Sequence, residues 1–280
     1  MRTHALRHIL LKALAFGIIA MMLTDVCAAQ EDIGCDEDEF GKLKWMESYQ
    51  PKDSVHLHEY IDSYKAYIER WKGKSTLADG LEIYIAMAEF ERRNYDTVER
   101  IAIDLINSNE SANKYAGLEL LTKIALLKKD FTRALELTIQ NDTTSCHGCV
   151  WCGNGIAQRE VKLALFYADS YAGLGDTASA VKHLLKAVFK DYLTATQKLN
   201  ERITELLKNR FSKKYLKREF DNSLEKLSVR NVDNWNEYYF TFLNNEVVIP
   251  ADLNYFEKAK TKEDWRELVK NRSFYKWLSN

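Results

Sequence analysis

Residues 163–188 read LALFYADSYAGLGDTASAVKHLLKAV, and the joint Leu174-Gly175-Asp176 divides this apolar, helix-favouring stretch in two. Gly175 tolerates the left-handed conformation with which a helix ends, and Asp176 or Thr177 supplies a side-chain oxygen to cap the next one. Small residues sit deep in both halves, at Ala168, Ala180 and Ala187, where two antiparallel helices can approach closely only if no large side chain forces them apart. The spacing predicts a helical hairpin, Ile156 to Gly173 and Thr177 to Lys190.

The same pattern extends towards the N-terminus. Val55, Ile61, Tyr64, Ile68 and Trp71 recur three or four apart after Asp53, a candidate N-cap, and Gly73 stops that helix. A segment from Thr76 to Arg93 is followed by a turn at 94–96 and a helix from Thr97 to Ile106. A further pair runs from Ser111 to Lys128 and from Thr132 to Ile139. Composition agrees: of 280 residues, 46% are hydrophobic and 29% charged, and only Pro51 and Pro250 are proline. The 198 positions between those prolines lack the strongest helix breaker, which favours an all-helical body over a sandwich or barrel.

The unit at 163–188 resembles a tetratricopeptide repeat. In that family's frame the small residue of the first helix falls on Ala168, the aromatic on Tyr171, and the small residues of the second helix on Ala180 and Ala187. ALLKKDFTRALEL places a turn-side aromatic at Phe131 and the close-contact residue at Ala134. AEFERRNYDTVERIA places them at Tyr95 and Val98. Val98 and Ala134 are 36 residues apart, and Ala134 and Ala180 are 46, one repeat plus an insertion. The family's closing proline is missing from all three. The resemblance spans about residues 78–192 and implies an all-α fold, a helical-hairpin repeat array (a tetratricopeptide-like α-solenoid) with extra C-terminal helices. It also implies a non-enzymatic scaffold, of the exported bacterial type, that takes a protein or peptide partner in its concave groove and needs no cofactor. First-helix residues line that groove, which points to Ile83, Met87, Phe90, Glu119, Lys123, Leu126, Leu165 and Asp169. These depart from the clustered Lys, Arg and Asn with which chaperone-tail binders of the family hold a terminal carboxylate.

Residues 1–29 read as a signal peptide. Arg2, Arg7 and Lys12 precede 11 apolar residues, Ala13 to Leu23, too short a run to span a bilayer, and small residues follow at Ala28 and Ala29. Lipidation of Cys27 is the alternative, although Asp25 and Val26 depart from the usual box. The mature chain is thus expected in the periplasm or secreted, with no integral membrane segment. It keeps 37 basic against 40 acidic residues, a balance that asks for no nucleic acid. An acidic arm (30–52) leads into the repeats (53–192). The helix at 53–72 is placed to cap the array, and 193–280 is expected to form helices that cap its other end.

The insertion at 142–155 contains Cys146, Cys149 and Cys152 in CxxCxxC spacing, and Cys35 is the fourth cysteine of the mature chain. In an exported protein two disulfides among these four are expected. A zinc site completed by Cys35 or His147 is the alternative, which would make the loop the centre of a redox or zinc-binding protein. TrpCysGly at 151–153 resembles the thioredoxin motif, but Gly155 replaces its second cysteine. An iron–sulfur cluster would need a fourth thiolate from elsewhere. No dinucleotide, P-loop, metalloprotease or serine-hydrolase motif is present. His56 and His58 lack helical metal-pair spacing, and His183 reads as a packed or half-exposed side chain. The acidic run at 36–39 lacks calcium-loop spacing, and the basic stretch at 212–218 reads as a solvated helix face. Asn109, Asn141 and Asn271 each begin an Asn-x-Ser/Thr sequon.

Overall fold

The computed structural model describes residues 39–43, 54–74, 78, 80–144, 153–189, 196–232, 235–250 and 259–279. The segment 1–29 expected to be a signal peptide, the acidic arm before 39 and all the cysteines lie outside them. The protein is predominantly helical and contains packed pairs of adjacent helices. It divides into two compact units, Met1–Leu105 and Ile106–Asn280.

The first unit contains a helical segment at 39–43, α1 (Ser54–Trp71), α2 (Glu82–Glu91) and most of α3 (Tyr95–Asn107). The apolar stripe of α1 is its buried face: Ile61, Tyr64, Tyr67, Ile68 and Trp71 pack with Leu43, Leu81, Ile85 and Ala88. Tyr64 lies between Tyr60 and Tyr84, at centroid distances of 4.6 and 5.3 Å. The Trp71 indole N–H donates to Glu39 at 2.8 Å, which satisfies the polar end of a ring that is otherwise apolar. Gly73, at φ +74°, ends this run as expected.

The second unit opens with α4 (Ser111–Leu127), α5 (Phe131–Thr143), α6 (Gly153–Gly173), α7 (Thr177–Ala187) and α8 (Thr196–Lys208), each packed on the next. One turn recurs within three helix pairs. Arg93, Lys129 and Gly175 all take left-handed φ, 63°, 58° and 84°. The following residue, Asn94, Asp130 or Asp176, donates its N–H back to Glu89, Ala125 or Tyr171 at 2.8–2.9 Å and accepts from Val98, Ala134 or Ala180. This is a Schellman-type stop running directly into an N-cap. The Asp130 and Asp176 carboxylates complete it by accepting from the N–H groups of Arg133 and Ser179. Val98, Ala134 and Ala180, the expected close-contact positions, are all fully buried. A Cβ on Gly173 would collide with the ring of Phe131, so α6 can meet the start of α5 there only as glycine.

The C-terminal region corrects the expectation of helices throughout 193–280. After α8 and α9 (Lys213–Glu225), three antiparallel strands follow in order: β1 (Ser228–Val232), β2 (Trp235–Phe242) and β3 (Asn245–Ile249). Their pairing runs Arg230 opposite Glu237 and Phe240 opposite Val247. The aromatic stretch obeys period two rather than 3.6: Phe240 and Phe242 face the core, while Tyr239 and Thr241 alternate with them. Leu243 and Asn244, both left-handed at φ 51° and 63°, make the two-residue hairpin turn. α10 (Lys262–Lys270) and α11 (Ser273–Ser279) close the chain. Phe220 of α9 is the hub of this region, its ring 5.1–5.8 Å from those of Phe240, Phe242, Phe274 and Tyr275. β3 rests on α7, so the sheet extends the helical core.

Candidate functional site

The residues expected to line a groove fall in both units. Ile83, Met87 and Phe90 lie on α2 in the first, where Met87 is 51% exposed and the others are half-buried. Glu119, Lys123, Leu126, Leu165 and Asp169 lie in the second, where their charged members are held in ion pairs. Glu119 accepts from Lys123 at 2.7 Å and from Lys162 at 2.6 Å, tying α4 to α6. Burial alone would push its carboxyl up, but the two ammonium groups outweigh that and hold it below the ordinary carboxylate range. Asp169 meets Arg202 of α8 at 2.7 Å, yet burial still leaves it above its usual range. Leu126 and Leu165 are partly buried against the cores beneath them. Ion pairs therefore lace this face from α4 through α6 to α8.

Tyr115 stands beside the first of these pairs, with the Arg159 guanidinium 5.2 Å and the Lys162 ammonium 6.0 Å from its ring centroid. Burial and then Glu119 push its phenol up to about 12. Arg159 also donates to the main-chain carbonyls of Asn141, Asp142 and Thr144, at 3.0, 3.4 and 3.3 Å. A cation is thus placed on the carbonyls at the C-terminal end of α5, where the cysteine-bearing insertion begins. Asn141 itself is fully buried, so of the three sequons this one offers no accessible acceptor, while Asn109 and Asn271 are exposed.

A cleft of about 410 Å³ opens on another side of α6. Its floor is Leu163, Ala164 and Tyr167 of α6 with His183 and Ala187 of α7. The end of α5 contributes Asp142 to one wall, the sheet contributes Glu237 and Val248 to the other with Pro250 just after β3, and Glu160 of α6 and Lys186 of α7 complete the lining. The cleft exists because β3 rests against α7. The Tyr167 hydroxyl donates to Asp142 Oδ2 at 3.0 Å. Burial, and then that carboxylate, push its phenol well above the ordinary tyrosine range. The imidazole of His183 stacks over Tyr167, centroids 4.0 Å apart, and over Tyr171 at 5.5 Å. Burial, then the charges of Lys186 and Lys182, pull its pKa down to about 4, so the ring is neutral near pH 7.

Sequence reasoning found His183 only as a packed side chain and Tyr171 only as a structural aromatic, and it did not find Tyr167, Asp142, Glu160, Lys186 or Glu237 at all. The Tyr167 and Tyr171 pair at i, i+4 was a usable signal, since it puts two rings on one helix face. The sheet wall had none until the strands were assigned. Among the described residues, no group of three or more His, Cys, Asp or Glu side chains is placed to hold a metal ion. Among them, too, no helix is long and apolar enough to cross a membrane. Compared with family models, curated proteins and solved structures, the chain matches none of them.

Proposed function

We propose that this is an exported, non-enzymatic binding scaffold of tetratricopeptide-like architecture, and that it takes a segment of a protein partner in the cleft between the α6–α7 hairpin and the sheet. The cleft carries the reading: its volume falls within the range of about 300–1,000 Å³ typical of ligand sites, and apolar, aromatic and polar groups converge on it. The repeated left-handed turn and the buried small residues at 98, 134 and 180 support the architecture. His183 serves the cleft as a packed ring, stacked on Tyr167 and Tyr171. The first-helix face around Glu119 and Asp169 is the less favoured site, because its charges are engaged with one another.

The test is selection of peptides from a random library on the purified protein, followed by competition with Val248→Arg. That half-exposed strand position lines the cleft, and the longer side chain fills it while leaving the sheet intact. Captured peptides that the variant no longer binds support the reading. Peptides held equally well by both proteins place the partner elsewhere.

A further inference from the structure

We infer that the cleft receives a positively charged side chain, arginine or lysine, of the bound segment. This rests on the protein-binding reading and adds the chemistry of what enters.

Three carboxylates line the cleft, those of Asp142, Glu160 and Glu237, against the single ammonium of Lys186. They are not equivalent. Glu237 is engaged by Arg230, which reaches across the sheet to Glu246 as well. Asp142 differs in the important respect: its carboxylate accepts from the neutral phenol of Tyr167, a bond that fixes its orientation without cancelling its charge. The guanidinium of Arg159 donates instead to the main-chain carbonyls of Asn141, Asp142 and Thr144. Among the described residues Asp142 has no ion-pair partner. An oriented, unneutralised carboxylate beside an aromatic floor is the arrangement that recognises a guanidinium or ammonium, which can pair with the carboxylate while lying over the ring faces. The stacked Tyr167 and His183 supply that floor, and the imidazole faces the guest uncharged. Lys186 is exposed on the last turn of α7, where its long stem lets the ammonium stay in solvent. Leu163, Ala164 and Val248 give the methylenes of the guest an apolar lining.

The experiment titrates the purified protein with three capped tripeptides, acetyl-Gly-Arg-Gly-amide, its citrulline counterpart and acetyl-Gly-Glu-Gly-amide, following the His183 ring resonances by NMR. Citrulline keeps the shape of arginine and removes the charge. The arginine peptide is expected to shift the His183 signals and to bind about tenfold more tightly than the citrulline one, the margin of a single well-made charge contact. Asp142→Asn keeps an acceptor for the Tyr167 hydroxyl and is expected to erase that margin. Equal affinity for the arginine and citrulline peptides overturns the inference while leaving the protein-binding reading standing. So does tighter binding of the glutamate peptide, which would assign the cleft to Lys186. If none of the three moves the His183 signals, the cation inference falls, and the library selection decides the broader reading on its own. The arginine-to-citrulline comparison on the unaltered protein needs no variant to fold.

Discussion

The imidazole of His183 lies nearly parallel to the phenol ring of Tyr167, with centroids 4.0 Å apart and planes 23° apart. The contact joins α7 to α6 at the floor of the cleft, and it has a thermodynamic consequence. Protonating His183 in the folded protein places a charge in a half-buried stack beside Lys182 and Lys186, so its folded pKa, about 4, lies below the ordinary 6.5. The unfolded chain therefore takes up the proton first as the pH falls, and stability drops from about pH 6.5 downward until the folded form also titrates near 4. With His183→Gln that contribution disappears. Unfolding free energies measured from pH 7.5 to 3.5 are expected to show a wild-type-minus-variant difference that is flat above 6.5 and falls between 6.5 and 4. A difference independent of pH across this window contradicts the assignment.

The helix crossings make a second prediction. Ala180 is fully buried where α6 and α7 meet, and Gly173 leaves its only side-chain space to Phe131. Ala180→Leu and Gly173→Ala should each destabilise by about 1–3 kcal/mol, the range for overpacking a close contact. Urea unfolding measures this, and an unchanged midpoint for either would show that the crossing is looser than described.

The ion pair between Glu119 and Lys162 should be measurable by a double-mutant cycle. Glu119 is largely buried and its partner partly so, which places the coupling of Glu119→Gln with Lys162→Met at about 0.5–1.5 kcal/mol near neutral pH. Because the folded carboxyl titrates below the unfolded value of 4.5, this stability is present above 4.5 and is lost as the pH falls through the lowered folded value. No coupling at pH 7 would count against the described geometry.

Phe220 holds four aromatic neighbours from β2, α11 and their surroundings, so Phe220→Ala should cost about 3–5 kcal/mol and loosen the sheet together with α11. Hydrogen exchange reads both effects. Faster exchange confined to α9 would mean the sheet does not depend on this ring.

Much of the helical body was legible in the residues themselves. Gly73 and Gly175 mark helix ends, Asp176 caps α7, and Val98, Ala134 and Ala180 occupy matching buried positions, because each of these is a local rule acting within a few residues. Arg93 and Lys129 hid the recurrence of the turn, since neither residue type announces left-handed backbone. The sheet was missed because aromatic content over 234–243 outweighed the alternation of Phe240 and Phe242 with Thr241. The cleft was less legible still. Asp142 and Glu237 are 95 residues apart in sequence, and only the packing of β3 on α7 brings them to one cavity. Glu119 and Lys123 were found and pair at i, i+4, but the second bond of Glu119 reaches Lys162 on α6, which no local pattern singled out.

The most direct test of the account asks where a bound segment lies. Benzoylphenylalanine is placed singly at Val248, in the cleft, and at Lys123, on the ion-paired face, and each protein is irradiated with a library-selected peptide. Cross-linking at Val248 and none at Lys123 is the predicted result; cross-linking at Lys123 with none at Val248 would contradict it.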